Sequence, residues 1–125
     1  MGAYNDIFVK QVFTAELIAA NGSAESAVID LGGVSQNPGS FGLQVEMSGS
    51  GTGRFEAIVS NHTEDFIKPS AQSYIKTGFL ETSGPGSDGK DAFSFSIVPS
   101  RFLKIKVTET GTSASITVTA YLATN

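Results

Sequence analysis

Residues 84–91 read Gly-Pro-Gly-Ser-Asp-Gly-Lys-Asp, which sets two glycines and a lysine at the spacing of a phosphate-binding loop. In a working loop of that type, backbone N–H groups cradle the phosphates and the lysine neutralises them. A serine or threonine hydroxyl then holds magnesium, and a helix N-terminus completes the anion site. Here Asp91 stands at the hydroxyl position and Asp88 adds a second carboxylate. Both would set negative charge beside a polyphosphate. The residues that follow, AFSFSIV, alternate as a strand does, so no helix is expected there. The stretch reads as a wide turn, with Pro85 fixing one φ and the glycines supplying conformations that other residues resist. No nucleotide site is expected.

The remaining chemistry-bearing residues are sparse. His62 is the one histidine and lies near Glu64 and Asp65 in SNHTEDF. A lone imidazole with two acidic neighbours falls short of the ligand sets that transition metals use. A serine nucleophile would need a base, and His62 lies in no Gly-x-Ser-x-Gly context. Glu81, Asp88 and Asp91 together could supply oxygens to calcium, but their spacing matches no defined loop. Asn21-Gly22-Ser23 and Asn61-His62-Thr63 are formal glycosylation sequons. Without a signal peptide neither is expected to be used. The expectation is therefore no catalytic residue, no cofactor and no metal, and no enzyme.

Composition narrows the class further. A chain of 125 residues fits one domain, with roughly two-thirds of its unfolded surface buried on folding. There is no cysteine, which excludes disulfides and thiolate sites and suits assembly in a reducing compartment. The net charge of −4, with its basic residues scattered, argues against a nucleic-acid partner. No apolar run is long enough for a membrane helix, and MGAYNDIFVKQ lacks the layout of a signal peptide. The protein is expected to be soluble and made in the cytoplasm of its producer, with no membrane partner.

The elements that must position these residues are strands. Apolar and polar side chains alternate along Phe13–Leu17, Ala27–Leu31, Leu43–Met47, Phe93–Ile97, Leu103–Val107 and Ile116–Leu122. Successive side chains of a strand face opposite sides, so each run is a half-buried strand. RFEAIVS (54–60) and SYIKTGF (73–79) are further candidates, and turn-rich stretches separate the runs. The short TGTS at 110–113 predicts a hairpin over 102–123. The expected fold is all-β, an antiparallel β-sandwich or jelly-roll-like domain of about eight strands spanning 11–125. Residues 1–10 are expected to form an N-terminal arm.

The chain contains Val59-Ser60-Asn61, Asp65-Phe66, Lys68-Pro69-Ser70, Thr77-Gly78-Phe79, the run from Ser83 to Phe95, the run from Leu103 to Gly111, and Ile116–Ala123. Together these stretches resemble small tailed-bacteriophage virion proteins. The resemblance covers roughly 43–124 and is an overall pattern with no catalytic signature. It implies a capsid decoration (cement) protein, a homotrimer on the shell that bridges subunits of the phage major capsid protein. An N-terminal arm would pair with that protein, and the location would be the virion, assembled in the host bacterial cytoplasm. Alternatives are a phage tail-associated β module and a carbohydrate-binding sandwich domain. The residues expected at an interface are Tyr4, Ile7, Phe8 and Val9 in the arm, with the outward apolar Ile18, Val28, Val98 and Tyr121.

Overall fold

The computed structural model describes residues 8–33 and 40–124. Nine strands are present among them: β1 (Phe8–Ile18), β2 (Ser23–Glu25), β3 (Ile29–Asp30), β4 (Ser40–Ser48), β5 (Gly53–Ser60), β6 (Lys76–Phe79), β7 (Lys90–Ser96), β8 (Phe102–Glu109) and β9 (Ile116–Thr124). A 3-10 turn follows β3 at Leu31–Gly33. All strand pairings among the described residues are antiparallel. One sheet runs β1-β9-β4-β7; the other runs β2-β8-β5-β6, with β3 also pairing β8. The protein is an all-β sandwich, as the alternation predicts. Tyr4 and Ile7 lie outside the described residues, and residues 8–10, placed with the arm from sequence, belong to β1.

The core lies between the sheets. Leu43, Val45, Leu103, Ile105, Val107, Ile116, Val118 and Leu122 are fully buried there. Phe55, Phe79 and Phe93 pack at ring separations of 5.7–6.4 Å, two of the contacts edge-on, and Phe41 stacks on Phe95 at 5.3 Å. Offset and edge-to-face geometries are the ones aromatic quadrupoles favour.

Two expectations need correction. The hairpin over 102–123 does not form: β8 pairs β5, β2 and β3 in one sheet, while β9 pairs β1 and β4 in the other. The inward rows of both strands are apolar, so they meet face to face across the core and the 110–115 connection crosses between sheets. Alternation is the same whether two strands lie side by side or opposite each other, so it does not discriminate.

Ile18 was expected to face outward, yet it is 2% exposed. The register of β1 against β9 shifts twice, between Gln11 and Phe13 and again between Phe13 and Glu16. At the second bulge Ala15 takes φ 46° and its N–H donates to Thr119 Oγ1 at 3.0 Å. An inserted residue reverses which side chains face in. Phe13 and Ile18 therefore point into the core, whereas Ala15 and Leu17, expected beside Phe13, are exposed.

Candidate interaction surfaces

None of the sequence-predicted chemical residues gather into a reactive constellation. In the 84–91 turn, Gly84 and Gly89 have φ of 96° and 76°. A Cβ on Gly89 would lie 2.3 Å from the Met47 carbonyl oxygen, so only glycine lets the turn approach β4. The turn closes on itself, with Ser87 N–H donating to Gly84 O and Gly89 N–H to Ser83 O. The three acidic residues weighed for calcium each accept a backbone N–H: Glu81 from Gly49, Asp88 from Lys90, and Asp91 from Ala92. His62 Nδ1 accepts the Glu64 N–H at 3.3 Å. Among the described residues, no three His, Asp or Glu side chains form a metal-binding group.

The most elaborate polar centre was missed from sequence. Glu109 ends β8 and is fully buried. Its Oε1 accepts N–H groups from Asn21 and Thr112 at 2.8 Å each; its Oε2 accepts those of Thr52 at 2.8 Å and Gly111 at 2.6 Å. These bonds, led by those from Thr52 and Asn21, outweigh burial and lower its pKa from 4.5 to about 2. Gly51 and Gly111 make room for the carboxylate: a Cβ on either would lie 2.9 or 2.7 Å from Oε2. Glu109 thus ties three turns together at one end of the sandwich. The signal was in the sequence, since Glu109 shares the parity of the inward Leu103, Ile105 and Val107. A carboxylate placed inward at a strand end needs several donors.

What the fold presents to a partner is surface. Among the described residues nothing covers the outward side of the four-stranded sheet, and cross-strand rows assemble it. Gln11 sits opposite Tyr121, Tyr121 opposite Gln44, and Gln44 opposite Ala92. The next row is Val9, Ala123, Gly42 and Ser94. Leu17 and Thr117 add a third. The middle of this face carries small, hydroxyl and amide side chains. Its outward charges from β4 and β7, Glu46 and Lys90, are cross-strand partners at one end. Val9 and Leu17 are 60% and 68% exposed at the β1 margin.

The outward side of the other sheet differs. Glu56, Ile58 and Ser60 point away from the core but are buried. Segment 61–75 closes over β5 and along its edge. Val59 and Ile67 exchange backbone hydrogen bonds, Gln72 Nε2 donates to Ala57 O, and Ile75 N–H donates to Phe55 O. Arg54 and Lys68 stand 4.6 and 4.7 Å from the Tyr74 ring centre, and Lys104 lies 4.7 Å over Phe66 while pairing with Glu25 at 3.2 Å.

Of the expected interface residues, Val9 and Tyr121 lie on the open face. Phe8 is in β1. Val28 and Val98 are about two-fifths exposed but sit in connections outside it. Ile18, being in the core, has no part in a surface.

No protein-family model matches the chain, and no curated protein matches it in sequence. Among solved structures it is similar to the SPBc2 prophage-derived protein YomS, at 15% identity over 95% of this chain and 94% of that one, with TM-score 0.46. It is also similar to PliG, the periplasmic inhibitor of g-type lysozyme from Aeromonas hydrophila, at 9% identity over 94% and 84%, TM-score 0.47. A third likeness is to a chain of infectious bursal disease virus, Gx strain, at 10% identity over 94% of this chain and TM-score 0.48. This chain spans 31% of that viral chain. At such identities and scores, none of the three assigns a role to any residue here.

Proposed function

We propose that the protein is a non-enzymatic structural component of a bacteriophage virion, a capsid decoration protein that steadies the head by bridging subunits of the major capsid protein. The observation that carries this reading is the open outward face of the β1-β9-β4-β7 sheet. Protein interfaces are depleted of charge at their centres and enriched in residues such as tyrosine. The rows around Tyr121 have that composition, with exposed Val9 and Leu17 along one margin. A broad, shallow face suits attachment to a flat shell better than capture of a small molecule, which favours concave sites.

The resemblance of residues 43–124 to phage virion modules supports the same reading. It adds the expectation of a homotrimer, in which three weak contacts act as one strong attachment. Co-sedimentation of the purified protein with expanded phage shells and, separately, with tail tubes tests the proposal. Retention on shells with Tyr121→Arg released is the expected result. Retention on tubes alone, or on neither particle, would reject it.

A further inference from the structure

Where the two sheets part beside β7, a groove of about 450 Å3 runs between residues 71–75 and residues 94–98. None of its lining side chains is charged. One wall is the edge of β7, which pairs with no further strand among the described residues, and the hydrogen-bond register says which groups that edge leaves open. Met47 N–H donates to Gly89 O, so the odd-numbered residues of β7 exchange bonds with β4. In an antiparallel pair the alternate residues then aim N–H and C=O away from the partner strand.

The chain satisfies two of those four outward donors itself, and another just past the end of β7. Lys90 N–H donates to Asp88 Oδ1, Ala92 N–H to Asp91 Oδ1, and Val98 N–H to Gln72 Oε1. Side chains that cap an edge in this way guard it against pairing with other chains. Ser94 and Ser96 are the exception. Both line the groove, and among the described residues no side chain caps their outward N–H groups. The guard is interrupted at two alternate positions, the spacing of an added strand.

The rim supplies a charge preference. Tyr74, on the opposite wall, carries Arg54 and Lys68 against its ring. Arg54 has Glu56 at 3.6 Å, whereas Lys68 bonds to the backbone carbonyls of Pro69 and Gln72 and has no carboxylate within ion-pair distance among the described residues. A protein of net charge −4 thus presents uncompensated positive charge beside an uncharged groove.

We propose that this groove receives an extended segment of a partner polypeptide, added as a strand on β7. Its backbone pairs with Ser94 and Ser96, small or apolar side chains enter the groove, and a carboxylate meets Lys68 beside Tyr74. Such strand addition takes affinity from main-chain bonds and specificity from alternate side chains. The site is a sheet edge and does not depend on the shell-binding face described above.

The test titrates an acetylated, amidated Val-Ser-Val-Ser-Val-Asp peptide into the 15N-labelled full chain, with two versions N-methylated on opposite alternate amides. Amide shifts at Ser94, Ser96 and 71–75 are expected. One methylated version should bind at least about tenfold more weakly and the other like the parent, because only one set of amides faces β7. Lys68→Glu should weaken the parent by a similar factor in a chain whose spectrum is otherwise unchanged. No shifts at millimolar peptide, shifts elsewhere, or equal binding of both methylated versions would overturn the proposal. Protection of the Ser94 and Ser96 amides that rises with protein concentration alone would also overturn it, by showing that a second copy fills the groove.

Discussion

On β5, Glu56, Ile58 and Ser60 point away from the core and are nevertheless buried; on β4, Gln44 and Glu46 hold outward positions and are exposed. The two strands occupy comparable interior positions in their sheets. They differ in what lies outside them. Segment 61–75 gives β5 a second layer, with its own hydrogen bonds and cation–aromatic contacts, so that face belongs to the monomer. Nothing in the described chain covers the other. A sheet face whose middle rows carry no charge, left open by the same polypeptide that covers its counterpart, is a surface available to a neighbour.

Substitutions on the two faces should separate them sharply. The largest effect is expected from Ile58→Ala, which deletes a side chain only 5% exposed beneath the covering segment. Denaturant unfolding should show a loss of about 2–5 kcal/mol, as for other buried isoleucines. A loss near zero would mean that 61–75 does not pack on β5 in solution.

Tyr74→Ala tests the same cover from its outer side, where Arg54 and Lys68 meet the ring. At a partly exposed site, two cation–π contacts lead to a loss of about 1–2 kcal/mol. Gln44→Ala, on the open face, should change stability by no more than about 0.5 kcal/mol. If Gln44→Ala destabilised as much as Ile58→Ala, the contrast between the faces would fail.

A pH measurement isolates the Glu109 tie from both faces. Its folded pKa of about 2 lies below the ordinary 4.5, so the unfolded chain takes up the proton first as pH falls. The stabilisation is complete above about pH 4.5 and disappears between there and pH 2. Acid unfolding of the wild type should steepen in that window. Glu109→Gln should be less stable at neutral pH and show a smaller loss across it. Parallel curves for the two proteins would remove Glu109 as the group responsible.

Period-two alternation made the sandwich legible, because Leu43, Val45, Leu103, Ile105, Ile116 and Val118 all fall on the buried side that the pattern assigns them. It failed where one residue is inserted. The second bulge in β1, between Phe13 and Glu16, reverses the facing of Leu17 and Ile18, and no glycine announces it. It was mute on β5, where Glu56, Ala57, Ile58 and Val59 are all buried and no alternation exists to read. The partner of each strand was illegible for the reason that undid the predicted hairpin: strand pairing and face-to-face packing demand the same side-chain pattern. The surface was read in fragments. Val9 and Tyr121 were picked out singly, but the open face joins strands far apart in sequence, and only the registers of β1, β9, β4 and β7 bring its rows together.

The most direct measurement is amide hydrogen exchange of the protein free and bound to expanded capsid shells. Slower exchange is predicted across β1, β9 and β4, centred on Tyr121 and Gln44, with β5 and segment 61–75 unchanged. Protection confined to β5 and 61–75, with the Tyr121 rows unaltered, would contradict the assignment of the open sheet face as the surface that meets the shell.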